Sequence, residues 1–145
     1  MNKNILILLA LLSFCFACNN SSDEALADTI IGDWDIHSFI INSCPDAADN
    51  VPLTLVDENG CVEVFGAPLC MSVSFNRDGT GSFITQQIGN VGDGMSTFEY
   101  TIDGETNTVN TISEWGNETI FSFRDNQLSL EMDEEGCICA FSFES

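Results

Sequence analysis

From residue 30 onward the chain consists of short runs in which apolar and polar residues alternate, as at residues 71–75, 98–102 and 128–132. Alternation with a period of two places successive side chains on opposite faces of a β-strand. The runs are separated by turn residues such as Asp78-Gly79, where the glycine can adopt the positive φ of a tight hairpin. About nine or ten strands fit this spacing, and no helical period is evident after residue 18, so the pattern predicts an all-β antiparallel barrel or sandwich.

The first 18 residues have the layout of an export signal. A short basic start is followed by an apolar run at residues 5–16, which is too short for a bilayer span of roughly 20 residues. Small Ala17 precedes Cys18, where the chain turns polar, and this junction is similar to the lipobox of bacterial lipoproteins. It predicts a lipoprotein signal peptide at residues 1–17 and a lipid on Cys18, with Cys15 discarded. The alternative is an ordinary signal peptide with incidental cysteines.

The acidic composition limits the partners of this chain. Asp and Glu number 23 against 3 Lys and Arg, which gives a formal net charge of −20. Such a surface repels polyanions within the Debye length, so the composition argues against nucleic acid as a partner. Residues 18–28 contain acidic residues and no evident hydrophobic period, and they are expected to form an acidic, lipidated tether.

Four motifs then occur in the order in which one family carries them. They are a Gly-x-Trp at residues 32–34, an F-N-x-D-G-T hairpin at 75–80, and later hairpins at 98–104 and 126–130. Together they resemble the lipocalin-like domain of lipoproteins from diderm bacteria. The resemblance implies an up-and-down β-barrel of about 8–10 strands at residues 29–145. The sequence departs from the family in that no C-terminal helix follows the last strand, so none is expected. The resemblance also implies an outer-membrane lipoprotein, facing the periplasm or the cell surface.

Five cysteines follow the export signal, and an odd number leaves at least one of them unpaired. In a closed up-and-down barrel, the end of the first strand lies near the start of the last strand. Cys44 should therefore bond Cys137 or Cys139, and Cys139 is preferred because Cys137 adjoins the Gly136 turn. A second disulfide is expected between Cys61 and Cys70, which flank a bend at residues 65–68.

Metal binding and catalysis have little support in the sequence. A zinc site formed by the cysteines and His37 is the alternative to disulfides, but no C-x-x-C pair is present and none is predicted. In the first strand, alternation assigns Trp34, Ile36, Ser38 and Ile40 to one face and His37 to the acidic opposite face. No acidic pair or cofactor motif stands out, so we expect neither an enzyme nor a cofactor.

Two functions remain: a barrel that binds a small apolar or amphipathic molecule, and a filled barrel that serves as a structural or interaction protein of the envelope. The family resemblance favours binding. Alternation predicts an inward-facing set that would either fill the barrel or line a pocket: Trp34, Phe75, Phe98, Tyr100, Phe121, Phe123, Phe141 and Phe143. Candidate ligand contacts are Trp34, Phe98, Tyr100 and Phe123. The last three should line one open end, with the Tyr100 hydroxyl as a polar contact, unless they are core and that hydroxyl bonds a neighbouring strand.

Overall fold

A computed structural model describes residues 21–87 and 94–145 of the chain. Within these ranges there is one α-helix, α1 (Ser21–Ile30), and one 3₁₀ turn at Ala47–Asp49. The strands are β1 (Gly32–Asn42), β2 (Val51–Leu55), β3 (Val62–Val64), β4 (Ala67–Phe75), β5 (Thr80–Gln87), β6 (Gly94–Asp103), β7 (Thr108–Ser113), β8 (Glu118–Arg124), β9 (Gln127–Glu134) and β10 (Cys137–Glu144). Among the described helical segments, none combines the length and apolarity that crossing a bilayer requires.

Eight of the strands close into an antiparallel up-and-down barrel. Consecutive strands pair from β4 to β10, β10 pairs with β1, and β1 pairs with β4 to complete the circle. The β1–β4 pairing joins only Gly32–Asp35 to Ser72–Phe75. Beyond it the two strands pair separately with β2 and β3. The predicted all-β barrel is confirmed, and β10 is followed by no helix in the described chain.

The barrel has two different ends. The closed end carries the β4–β5, β6–β7 and β8–β9 turns, and the open end carries the β7–β8 and β9–β10 turns. Large side chains occupy the interior towards the closed end, where the following are essentially inaccessible to solvent: Trp34, Ile36, Val73, Phe75, Val109, Leu128 and Phe143. Their burial supplies the main apolar contribution to the stability of the barrel.

Helix α1 covers the closed end, and the prediction that no helix follows residue 18 is wrong. Leu26 and Ile30 are four residues apart, so they share one helical face, and both are buried in the barrel core. At the start of the helix, the backbone N–H of Gly104 donates a 2.7 Å hydrogen bond to Asp23 Oδ1. The helix thus spans the expected boundary between the tether at 18–28 and the barrel at 29–145, and it packs as part of the barrel.

A β-bulge at His37 changes which side chains of β1 face inward. Ile36 pairs with Phe143 and Ser38 with Ser142, so His37 is an extra residue in the ladder. After the bulge, Phe39 and Ile41 are the buried residues. The prediction that Ser38 and Ile40 share the face of Trp34 is therefore wrong, because one inserted residue reverses the alternation.

Candidate ligand-binding cavity

A cavity of about 400 Å³ lies in the open half of the barrel. It reaches the surface at the β7–β8 connection, because Trp115 and Asn117 both line it and are both exposed. Side chains from the seven strands β4 to β10 surround it. The lining residues are Leu69, Met71, Phe83, Thr85, Ser96, Phe98, Thr111, Ser113, Trp115, Asn117, Thr119, Phe121, Leu130, Met132 and Phe141.

The floor of the cavity is aromatic. Phe98 and Phe121 pack edge-on against Phe75, with ring centroids 5.6 and 5.9 Å apart. Phe141 packs against Phe39 at 4.8 Å on the other side. Such offset and edge-to-face pairs are the favoured geometry for aromatic rings. The floor is therefore a packed cluster that belongs both to the core and to the cavity wall.

The walls between the floor and the mouth carry small hydroxyl and amide side chains beside the apolar Leu69 and Met132. The Thr111 hydroxyl is buried and donates to the carbonyl oxygen of Thr119 at 3.1 Å. The Ser113 hydroxyl accepts a 3.1 Å hydrogen bond from the backbone N–H of Asn117. Trp115 is 79% exposed at the rim. The cavity therefore combines an aromatic floor with a few hydroxyl and amide groups near its mouth.

Of the four residues predicted to contact a ligand, the structure places one in the cavity. Phe98 is part of the floor, whereas Trp34, Tyr100 and Phe123 lie towards the closed end. Trp34 packs edge-on against Phe123 with centroids 5.9 Å apart. The predicted grouping of Phe98, Tyr100 and Phe123 at one open end is therefore not the observed arrangement, since β6 carries Phe98 and Tyr100 towards opposite ends.

The Tyr100 hydroxyl is bound within the barrel wall. It donates a 2.6 Å hydrogen bond to the carbonyl oxygen of Asn76, in the β4–β5 turn. Burial, and then the negative charge of Asp78, raise the pKa of Tyr100. The hydroxyl thus supports the closed end, and its partner is a turn where the stated alternative had a neighbouring strand.

Some of the lining residues were accessible to sequence reasoning. Phe121 and Phe141 belong to the predicted inward set, and Met71 and Met132 alternate in register with buried neighbours. Trp115 could not be found in this way, because it lies in a turn where no period operates. Its position at the rim depends on how the β7–β8 connection folds back.

Two disulfides fasten the strands next to the cavity. Cys61 bonds Cys70, as predicted, and joins the start of β3 to β4. Cys44 bonds Cys137, and Cys139 is the free thiol among the described cysteines. The stated preference for Cys139 is wrong because the β1–β10 register places Cys139 opposite Ile41, leaving Cys137 next to the end of β1.

The remaining residues that could catalyse a reaction or bind a metal are His37 and the acidic and cysteine side chains. His37 Nδ1 lies 3.2 Å from Glu144 Oε2, so the only histidine of the chain makes an ion pair on the outer face when protonated. In residues 21–87 and 94–145, no three His, Cys, Asp or Glu side chains are grouped to hold a metal ion. Cys15 and Cys18 lie outside the described residues.

The geometry defines a class of protein: a small antiparallel β-barrel, closed at one end by a helix and holding an apolar cavity at the other. This architecture is compatible with a lipocalin-like fold. No protein-family model, curated protein or solved structure matches the chain.

Proposed function

We propose that this protein binds one small amphipathic molecule in the barrel, with the apolar part on the aromatic floor and the polar part at the mouth. The observation that supports the proposal is the cavity itself, which lies at the lower end of the 300–1,000 Å³ range typical of ligand pockets. It is mainly apolar and has a few polar groups near its opening, which is the usual composition of such sites.

The distribution of side-chain volume supports binding over a filled barrel. An eight-stranded barrel is just wide enough for side chains to fill its interior. Here the largest buried side chains, Trp34, Phe75 and Phe143, lie away from the mouth. Five small inward-facing residues lie between the floor and the mouth, alongside Leu69 and Met132: Thr85, Ser96, Thr111, Ser113 and Thr119. Small residues at these positions leave the volume that a ligand would occupy.

A pair of substitutions on adjacent residues of β8 tests this function. Thr119 lines the cavity, and its neighbour Ile120 is exposed on the outer face. Thr119→Trp should fill the cavity and abolish saturable binding of an apolar fluorescent probe, whereas Ile120→Trp should bind the probe as the parent protein does. Absence of one-to-one probe binding in the parent, or equal binding by both variants, would refute the proposal.

We also infer that the protein is held at a membrane by lipid on Cys18. Only two residues separate Cys18 from the start of α1, and an extended chain spans at most about 3.6 Å per residue. A lipid on Cys18 would therefore keep the closed end near the bilayer, and the mouth of the cavity would face away from it. Acyl chains contribute about 0.8 kcal/mol per buried CH₂, so more than one chain gives firm anchoring.

The anchoring is tested by fractionation and by labelling with palmitate. Cys18→Ser should release the protein from the membrane fraction and should take up no label. Cys15→Ser is the matched control and should behave as the parent chain, since Cys15 lies in the segment expected to be removed. A Cys18→Ser protein that stays with the membranes, or a parent chain that takes up no label, would exclude lipidation at this position.

The alternative function, an interaction protein of the envelope, has one specific observation in its favour. Leu53 and Leu55 on β2 are 60% and 59% exposed, so this short strand presents apolar side chains to solvent. A partner that covers them should protect the β2 amides from hydrogen exchange. Loss of that protection in a Leu53→Ser, Leu55→Ser variant, without any change in probe binding, would support this second role.

A further inference from the structure

We propose that the cavity selects an amphiphile with a positively charged head group over a carboxylate amphiphile with the same alkyl chain. This inference rests on the proposed function, because it requires the apolar tail to occupy the cavity. The inference follows from where the charged side chains lie along the barrel axis. They are compared with the position of the cavity and its aromatic floor.

The two basic residues of the described chain, Arg77 and Arg124, lie away from the mouth of the cavity. The only other basic residue of the sequence, Lys3, lies outside the described residues. Arg77 lies in the β4–β5 turn, with its guanidinium 3.9 Å from the carboxylate of Asp28 at the closed end. Arg124 ends β8 at the β8–β9 turn, which belongs to the same end. Within the described chain, a carboxylate head group at the mouth would therefore meet no cationic side chain.

Acidic residues, in contrast, occupy the connections at the open end. Glu114 precedes Trp115 in the β7–β8 connection, Glu118 begins β8 just after this connection, and both are exposed. Glu134 and Glu135 lie in the β9–β10 hairpin and are exposed as well. Charges of one sign around a cleft with low-dielectric walls reinforce one another and raise the local concentration of the opposite ion. The mouth should therefore attract cations and repel anions.

The thiol of Cys139 lies in the barrel wall close to carboxylates of the β9–β10 hairpin. Cys139 is 9% exposed, on β10. Burial raises its pKa, and the charges of Glu134 and then Asp133 raise it further. A negative charge at this point of the wall is thus disfavoured by burial and by carboxylates of the β9–β10 hairpin.

The rim also offers uncharged groups that suit a cation. Trp115 lines the cavity while 79% of it is exposed, so its ring is available to a head group. Trp is the aromatic residue that interacts most favourably with a cation placed over its face. Ser96 and Asn117, which also line the cavity, supply oxygen atoms that can accept hydrogen bonds.

The first experiment compares decyltrimethylammonium with decanoate in the full chain carrying Cys18→Ser, so that no attached acyl chain can compete for the cavity. Calorimetry at low salt and neutral pH should show one-to-one binding of the ammonium probe about tenfold tighter than that of decanoate. The ratio should fall towards one at 1 M salt, where the Debye length is roughly 3 Å. Tetramethylammonium, which lacks the tail, measures binding to the acidic surface alone.

The second experiment tests whether the carboxylates at the mouth are the ones that cause the preference for the ammonium probe. Glu114→Gln with Glu118→Gln removes two carboxylates from the mouth, and Glu99→Gln with Glu105→Gln removes two exposed carboxylates nearer the closed end. Both pairs change the net charge equally. The mouth pair should reduce the preference for the ammonium probe at least threefold more than the control pair does, since nearby charges interact most strongly.

The outcomes separate the two proposals. If neither probe binds saturably, or if Thr119→Trp leaves binding unchanged, the proposed function is wrong and the inference falls with it. If both probes bind in a manner sensitive to Thr119→Trp, but decanoate binds as tightly as the ammonium probe, the proposed function stands and the charge selectivity is wrong. Equal effects of the two Glu pairs would show that net charge, and not the mouth, sets the preference.

Discussion

The indole N–H of Trp34 donates a 2.8 Å hydrogen bond to the buried carbonyl oxygen of Ile30, which ties the first strand to the last turn of the helix. Trp34→Phe removes the donor and leaves this carbonyl oxygen unsatisfied. An unpaired buried polar group costs about 1–3 kcal/mol, and the lost ring volume adds to this. In urea unfolding, Trp34→Phe should therefore clearly lower the free energy of unfolding. Trp115 is exposed, so Trp115→Phe should change that free energy by less than about 0.5 kcal/mol. Equal losses would contradict this role of Trp34.

Among the five cysteines that follow the export signal, Cys139 should be the one that is alkylated without prior reduction, and its alkylation should be slow. It is buried, and its pKa is raised above the ordinary value of 9.0, so less than half of it is thiolate at that pH. Alkylation should be slow in the folded protein and fast in denaturant, and peptide mapping should assign the label to Cys139. A label on Cys137 or Cys44 would contradict the observed disulfide pairing.

The Cys44–Cys137 disulfide should contribute strongly to stability, because it joins positions 93 residues apart in sequence. Removal of a native disulfide from a small domain typically costs 2–5 kcal/mol. We expect Cys137→Ser to lower the free energy of unfolding by about this amount. Cys139→Ser is the matched control, since it removes a thiol that makes no disulfide. It should lower the free energy of unfolding by much less. The reverse order of these two losses would mean that Cys139 is the partner.

Titration of Tyr100 should make stability depend on pH in the alkaline range, because burial and then the charge of Asp78 raise its pKa. Its folded pKa is raised above 10.0, so the stabilisation is fully present below pH 10 and is lost as the pH rises through the folded value. Tyr100→Phe should cost about 0.5–1.5 kcal/mol at neutral pH, and the difference from the parent should shrink in alkali. Tyr100 is the only tyrosine, so phenolate absorbance reports its titration directly. A titration midpoint below 10 would contradict the raised pKa of Tyr100.

Gly81 should be intolerant of any side chain. It pairs directly with Phe98 across β5 and β6, and a Cβ at this position would overlap the Phe98 ring and the carbonyl oxygen of Ser74. Overpacking of this kind typically costs about 1–3 kcal/mol. Gly81→Ala should also weaken probe binding, because the displaced Phe98 ring forms part of the cavity floor. Ser82→Ala on the adjacent residue is the control, and a similar loss there would refute the steric explanation.

Local patterns in the sequence were sufficient to predict the strands and the hairpin turns between them. Alternation in β4, β6 and β9 depends only on neighbouring residues, and the Asp78-Gly79 turn follows from the positive φ of Gly79. The Cys61–Cys70 disulfide is local for the same reason, since its two cysteines are nine residues apart and flank one bend. These features need no knowledge of the distant chain.

The helix and the bulge, in contrast, became evident only in the folded barrel. Helix α1 buries just Leu26 and Ile30 among acidic neighbours, so its apolar face is too small to form a period that sequence reasoning detects. The bulge at His37 reverses the inward face of β1, and it is defined by pairing with β10, about a hundred residues later.

The same long-range register decided the disulfide partner and the cavity. It places Cys137, and not Cys139, next to Cys44, because pairing between the first and last strands sets which residues meet. It also sends Phe98 towards the mouth and Tyr100 towards the closed end, so one of the predicted ligand contacts lines the cavity and the others stabilise the opposite end. Alternation determines which face a residue occupies, whereas its height along the barrel depends on strand registers and closure, which local sequence does not encode.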